Sequence, residues 1–279
     1  MLVAWALLLG GLITVVFASD WLVDGAVALS KRLGLSPLVV GLTVIAYGTS
    51  LPEFVVSILA AQSGVADIAV GNVVGSNIAN FGLAWAAALL VGAGLITDST
   101  VYRRDLPIVL LVSGLFWLVC LDGSVSRYEG GGLLVLAVLY TVLAIKSTPR
   151  QAAEKTELES RLRISLLLFV GFVGLGFGAD VMVDGATQIA RYYKVDERII
   201  GLTVVAIGTS LPEIAASVAA ARKGEGAMTL GNILGSCFFN LTFVIGGASI
   251  ILPMEVKSSS FGTDIIVMFG LTSLVAILL

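Results

Sequence analysis

The segment GLTVIAYGTSLPE at 41–53 returns 160 residues later as GLTVVAIGTSLPE at 201–213. A second pair keeps the same spacing: GNVVGSNIAN at 71–80 returns as GNILGSCFFN at 231–240. Asp20, Asp24 and Gly25 likewise match Asp180, Asp184 and Gly185, in the similar stretches Gly11–Gly25 and Gly171–Gly185. Self-similarity at a fixed period means that the chain folds as two copies of one unit. What the unit can be depends on its solvent. Apolar residues make up 58% and charged residues 13% of the sequence, against about 25% charged in a soluble domain. The apolar runs reach the roughly 20 residues needed to span a bilayer. Alternation at period two, the mark of a membrane barrel, is absent. The expected fold is therefore an all-α polytopic membrane protein.

Charges and turn residues divide the chain into about nine spans, near 2–23, 37–61, 68–96, 105–121, 130–145, 162–185, 199–221, 227–252 and 263–279. No basic residue precedes the first apolar run, so it is expected to belong to the fold and not to a cleaved leader. Residues 1–145 form the first repeat and 164–279 the second, joined by the polar linker 146–163. Five spans separate equivalent positions. That number is odd, so the copies cross the membrane in opposite senses, which places a binding site at their interface near the midplane. Two repeats of five helices also call for a last helix that this sequence lacks after Leu279. Of the Lys and Arg residues, eleven fall on the side of the linker and five on the other. The expected topology therefore has an outside N-terminus and a cytoplasmic linker in the cell membrane.

Glu53 and Glu213 lie inside apolar spans that hold no Lys or Arg. An intramembrane carboxylate costs on the order of 3 kcal/mol and marks an ion path by default. Thr49 and Ser50 precede Glu53 by four and three residues, so one helical side carries all three; Thr209, Ser210 and Glu213 repeat the arrangement. Such oxygens suit hard cations. Pro52 and Pro212 lack the N–H that would bind a carbonyl one turn earlier. Carbonyls near Ala46 to Gly48 and Ala206 to Gly208 are thus expected to be freed. Asn72, Ser76 and Asn80 form a polar stripe, repeated by Asn232, Ser236 and Asn240, that either ligates a cation or bonds to the Glu-bearing helix. The glycines Gly71, Gly75, Gly231 and Gly235 suit close helix packing. Asp20, Asp24, Asp180 and Asp184 are expected near span ends, as interfacial or vestibule residues. With no His and two separate apolar cysteines, Cys120 and Cys237, neither a soft-metal site nor a disulfide is expected. No nucleotide loop or nucleophile–base pairing is evident, so the chain is not expected to be an enzyme or to need a cofactor or nucleic acid.

G-T-S-L-P-E followed by G-N-x-x-G-S-N-x-x-N, present twice, resembles the alpha repeats of the cation/calcium antiporter superfamily, and most of all prokaryotic sodium/calcium exchangers. The resemblance implies ten helices, alternating access and sodium sites that overlap one calcium site. By motif match it implies ligands Thr49, Ser50, Glu53, Ser76 and Asn80 from the first repeat. Thr209, Ser210, Glu213, Ser236 and Asn240 come from the second, with backbone oxygens of Ala46 and Ala206. Calcium and sodium are then the bound cargo and the bilayer the surroundings. An oligomeric state is not fixed, and a monomer is compatible with the repeat. This chain departs from the pattern in three ways. Asn240 stands where several relatives carry Asp, which speaks against potassium coupling. Cys237 replaces the Asn found at position 77, and the last helix is missing. Exchange of calcium for protons at the same two carboxylates is the alternative reading.

Overall fold

The structure, a computed structural model, describes all residues except 65, 93–99, 148–159, 196–203, 205, 256–257 and 279. Most of the linker expected at 146–163 lies outside the described residues. The chain is helical almost throughout. Helix α1 spans Leu2–Leu33 and ends at Gly34, whose left-handed backbone (φ 63°) closes the last turn. Ser36 then caps α2 (Pro37–Thr49), accepting from the Val39 amide with Pro37 in the first turn. Helix α3 (Leu51–Gln62) continues from α2 with a 40° bend at Ser50. Then come α4 (Ile68–Leu90), α5 (Val101–Asp122) and α6 (Arg127–Ser147). The second half holds α7 (Arg161–Tyr192), α8 (Ala206–Thr209), α9 (Leu211–Arg222), α10 (Gly226–Ile251) and α11 (Ser258–Leu278). One two-residue antiparallel pairing, Ser124–Val125 with Met254–Glu255, ties α5 to α10 by their following loops.

Among the described residues six helices are long and apolar enough to cross a membrane, or seven if α2 and α3 count as one bent span. The other two expected spans correspond to α8–α9, whose start lies outside the described residues, and to the shorter apolar helix Thr263–Ile277. The structure corrects two boundaries. Helix α1 runs on to Leu33 and α7 to Tyr192, each well past the expected end near 23 or 185. Asp20, Asp24, Asp180 and Asp184 therefore lie within continuous helices. Gly25 and Gly185, which follow two of these aspartates, do not stop the helices: each is packed against the other helix, Gly25 on Leu167 and Leu168 and Gly185 on Leu8.

Helices α1 and α7 cross in opposite senses and touch along most of their length. A Cβ on Gly11 would fall 2.5 Å from the Met182 amide, and one on Gly171 would fall 2.8 Å from the Leu22 Cα. Small residues here let two backbones meet, the usual source of helix association where lipid removes the hydrophobic drive. A second such contact joins α2 to α10, where a Cβ on Gly235 would sit 2.6 Å from the Leu42 carbonyl. Gly41 and Gly231 are pressed in the same way onto the carbonyls of Met228 and Leu38. By contrast, a Cβ on Gly75 would meet no described atom within 4 Å.

Helix α10 is the centre of the fold: 83% of its spanning window is buried, against 22% for α7. Helix α6 covers its far side, with Gly130 against Ser249 and Gly246. Tyr140 of α6 lies over Phe238 with ring centroids 4.2 Å apart. Its hydroxyl donates to Asp105 at 3.0 Å, while Arg104 grips both Asp105 oxygens at 2.7 and 3.1 Å. Asp105 is fully buried, and this pairing satisfies its charge.

Candidate cation-binding site

The two bent segments meet at the centre, where α2 gives way to α3 and α8 to α9. Both breaks fall on a serine. Ser50 (φ −82°, ψ 3°) and Ser210 (φ −87°, ψ 1°) leave helical geometry for one residue, and Pro52 and Pro212 then sit in the first turn of the next helix. Thr49, Ser50, Glu53, Ser210 and Glu213 are all buried, the last four completely.

The polar contacts link the motif residues both within a repeat and across the two. Ser50 donates its hydroxyl proton to Glu213 Oε1 at 3.3 Å, and Ser76 donates to Glu53 Oε1 at 3.3 Å. Thr49 Oγ1 lies 3.4 Å from each of Asn232 Oδ1, Ser236 Oγ and the Ala46 carbonyl. Thr209, its counterpart, donates to Asn72 Oδ1 at 3.3 Å. Among the described residues no Lys or Arg pairs with Glu53 or Glu213, and no cluster of three or more His, Cys, Asp or Glu side chains exists. The charge of the site is therefore two acids set among hydroxyls and amides.

Asn72 and Asn232 settle which role that part of the stripe plays. Asn72 donates to the Glu53 carbonyl at 3.3 Å and to the Ser57 hydroxyl at 3.2 Å. Asn232 does the same to Glu213 (3.2 Å) and Ser217 (2.9 Å). Each amide thus ties its own Glu-bearing helix with nitrogen and takes a threonine proton from the other repeat with oxygen. Ser57 and Ser217 had no marked signal in the sequence beyond matching positions. Asn80 and Asn240 each open a π-helical turn, in which the amides of Trp85 and Ile245 reach back five residues to the Asn carbonyl. Such turns cluster at functional sites, and composition carries no trace of them.

The freed carbonyls need correction. Ala46 O accepts the Ser50 amide at 3.1 Å, so the helix keeps its bond there. Proline removes only the bond aimed four residues before itself, at Gly48 and Gly208, and not those of the whole turn. In the second half the Ser210 amide goes to Ile207 O at 3.1 Å and not to Ala206.

Six buried side-chain polar atoms of the described residues find no hydrogen-bond partner: Glu53 Oε2, Asn80 Oδ1 and Nδ2, Ser210 Oγ, Glu213 Oε2 and Asn240 Oδ1. Five are oxygens, and all belong to residues singled out by the motif. Beside the break lies a cleft of about 570 Å³, bordered by Thr49, Pro52, Thr209 and Pro212 and by α7 from Phe172 to Val183, with Asp180 at its wall. On the opposite face Lys223 closes onto α1, 2.7 Å from Asp24 and from the Asp20 carbonyl. Lys223 follows the far end of α9 from Thr209 and Pro212, which border the cleft. Asp20 and Asp24 are thus bridge residues outside the central site.

Comparison with known proteins agrees with this geometry. The family model described as sodium/calcium exchanger protein matches residues 3–146 and 164–279. The inner membrane protein YrbG of Escherichia coli is 40% identical, over 100% of this chain and 89% of its own length. The sodium/calcium exchanger MaX1 of Methanosarcina acetivorans is 30% identical, over 99% of this chain and 91% of its own. A solved structure of the sodium-calcium exchanger NCX_Mj superposes with a TM-score of 0.86 at 30% identity, covering 99% of this chain and 90% of that one. With its inverted repeats, its paired buried carboxylates and this match over nearly its whole length, the chain belongs to the sodium/calcium exchanger family.

Proposed function

We propose that this protein is a secondary antiporter that exchanges sodium for calcium at the site between the two breaks. The observation that carries the reading is the set of orphaned oxygens. A buried polar atom without a partner costs about 1–3 kcal/mol, and more when charged. Here every unpartnered oxygen, of Glu53, Asn80, Ser210, Glu213 and Asn240, belongs to the motif segments that the Ser50–Glu213, Thr49–Ser236 and Ser76–Glu53 contacts bring together. Calcium takes six to eight oxygens, carboxylate, amide and hydroxyl among them. The twelve residues Ala46, Thr49, Ser50, Glu53, Ser76, Asn80, Ala206, Thr209, Ser210, Glu213, Ser236 and Asn240 supply that donor set.

Two ionised carboxylates neutralise one calcium ion, while more than two sodium ions would leave the cage positive. Exchange in that ratio moves charge, and each charge is worth about 2.3 kcal/mol per 100 mV. Membrane potential then helps expel calcium. The cleft beside Asp180 gives ions a path from one face, and the Lys223 bridge bars the other. Alternating access follows when the two halves trade these shapes. Kinship with MaX1 and NCX_Mj, both described as sodium/calcium exchangers, supports the choice of ions. The distribution of basic residues supports an outside N-terminus and a cytoplasmic linker in the cell membrane.

The test is calcium uptake by proteoliposomes loaded with sodium at equal pH on both sides, with and without potassium. Uptake that follows the sodium gradient is expected. Uptake driven by a pH gradient alone would overturn the reading in favour of calcium/proton exchange.

A further inference from the structure

We infer that Asn77, which touches no carboxylate, is the positioning residue that turns the Asn240 oxygen into the cage. An amide side chain has one accepting end and one donating end, and only the oxygen can face a cation favourably. Which end points where follows from the network, and here the network starts from a group with no ambiguity. The backbone carbonyl of Cys237 can only accept, and Asn77 Nδ2 lies 3.0 Å from it. The Met268 sulfur, also an acceptor, lies 3.7 Å from the same nitrogen. With its nitrogen committed, Asn77 has its oxygen left, and this takes a proton from Asn240 Nδ2 at 3.0 Å. Asn240 must therefore turn its nitrogen to Asn77, which leaves Oδ1 as the buried end without a partner. Its amide N–H reaches the Ser236 carbonyl, which puts it on the same helical face as Ser236, beside Thr49.

The other half lacks this device. The position equivalent to Asn77 is Cys237, and the residue equivalent to Asn240, Asn80, has only the Cys237 thiol, a weak partner, beside its side chain and no well-formed hydrogen bond from either amide atom. One cage amide is thus locked with oxygen inward by an amide and a backbone carbonyl, and its twin has only a thiol beside it. Both Asn77 (1% exposed) and Asn240 (0%) are out of reach of water that could substitute for the missing partner. The inference rests on the reading that the cage holds the transported cation, and it assigns to Asn77 a role in ion affinity that is distinct from ligation.

A carboxylate at position 240 would carry oxygen at both ends and need no orientation, and this supplies the test. Four proteins are compared: the wild type, Asn77→Leu, Asn240→Asp and the double variant. Each is reconstituted in sodium-loaded proteoliposomes, and the calcium concentration giving half-maximal uptake is measured. Asn77→Leu is expected to raise that concentration roughly 10–100-fold, the usual penalty for losing the partner that orients a ligand. In the Asn240→Asp background the same substitution is expected to change it less than about twofold, since little of that free energy remains to be lost. An equal penalty in both backgrounds, or none in either, would overturn the positioning role. Asn77→Cys, which copies the side chain tolerated at 237, repeats the comparison if the leucine variant does not fold. Absence of calcium uptake by the wild type would instead overturn the exchange reading, and this inference with it.

Discussion

Gly235→Ala tests whether the contact of α2 with α10 sets the geometry of the cage. The added methyl would lie 2.6 Å from the Leu42 carbonyl oxygen and 2.7 Å from the Ala46 Cβ, where ordinary contact begins at 3.4 Å. Both obstacles belong to a packed helix backbone or its first carbon, so neither can swing aside. The helices must part by about 0.8 Å, the shortfall of 2.6 against 3.4 Å. Thr49 reaches Asn232 and Ser236 across this same contact at 3.4 Å each, and the separation carries both bonds beyond hydrogen-bond range. Overpacking of this kind costs about 1–3 kcal/mol of stability, and a misplacement near 1 Å at a reacting or binding group costs up to about 100-fold. The expected result is a half-saturating calcium concentration raised by about 10–100-fold. A lowered midpoint of thermal unfolding in detergent should accompany it. Gly132→Ala is the control: it lies on exposed α6 with nothing within 4 Å, and alanine there favours the helix. If Gly235→Ala matches Gly132→Ala in both measurements, the reasoning from backbone contact to cage geometry is wrong.

Three further outcomes are expected. Glu53→Gln and Glu213→Gln should each abolish sodium-driven calcium uptake, because one remaining carboxylate cannot neutralise a divalent ion; transport at the wild-type rate by either would contradict the cage. Asp105→Asn should destabilise the fold by about 3 kcal/mol or more, read as a lower unfolding midpoint, because it strips Arg104 of a buried counter-charge. Cys237→Asn should lower the half-saturating calcium concentration by giving Asn80 an amide partner in place of a thiol, and an unchanged value would show that Asn80 does not need one.

The parts of this fold that could be read from the sequence are those that bilayer physics makes conspicuous. A glutamate in an apolar run stands out because lipid gives it no other excuse, and two at a fixed offset stand out further. The breaks at Ser50 and Ser210 were legible through Pro52 and Pro212. What proline frees was not: the expectation covered a whole turn, whereas the amide of Ser50 still holds Ala46 O. Helices α1 and α7 run past the expected span ends because Gly25 and Gly185, which could have ended them, are packed against the partner helix instead. The brackets made by Asn72 and Asn232 remained one of two options, since spacing puts a side chain on a face but does not say what lies opposite. Asn77 was visible only as the residue missing at 237. Its use depends on contacts with Asn240 and Cys237, more than 150 residues away.

The Lys223 bridge to Asp24 has a consequence for the balance between the two conformations. Position 63, its equivalent in the first half, holds a serine. When the halves trade shapes, Asp180 and Asp184 are brought towards a residue that cannot pair with them. The bridge can therefore form in one conformation and not in its mirror. Its members are partly exposed, so it is worth about 0–1 kcal/mol, which is up to about a fivefold difference in occupancy. Thiol labelling of Gly176→Cys, beside the cleft, should slow when Lys223→Gln removes the bridge, and an unchanged rate would mean that the bridge carries no weight. A pair of halves so alike in sequence is thus not symmetric in energy. If the halves alternate as proposed, the resting population leans towards the state with the Asp180 cleft open, and an ion arriving from that face finds a binding-competent molecule more often than one arriving from the other.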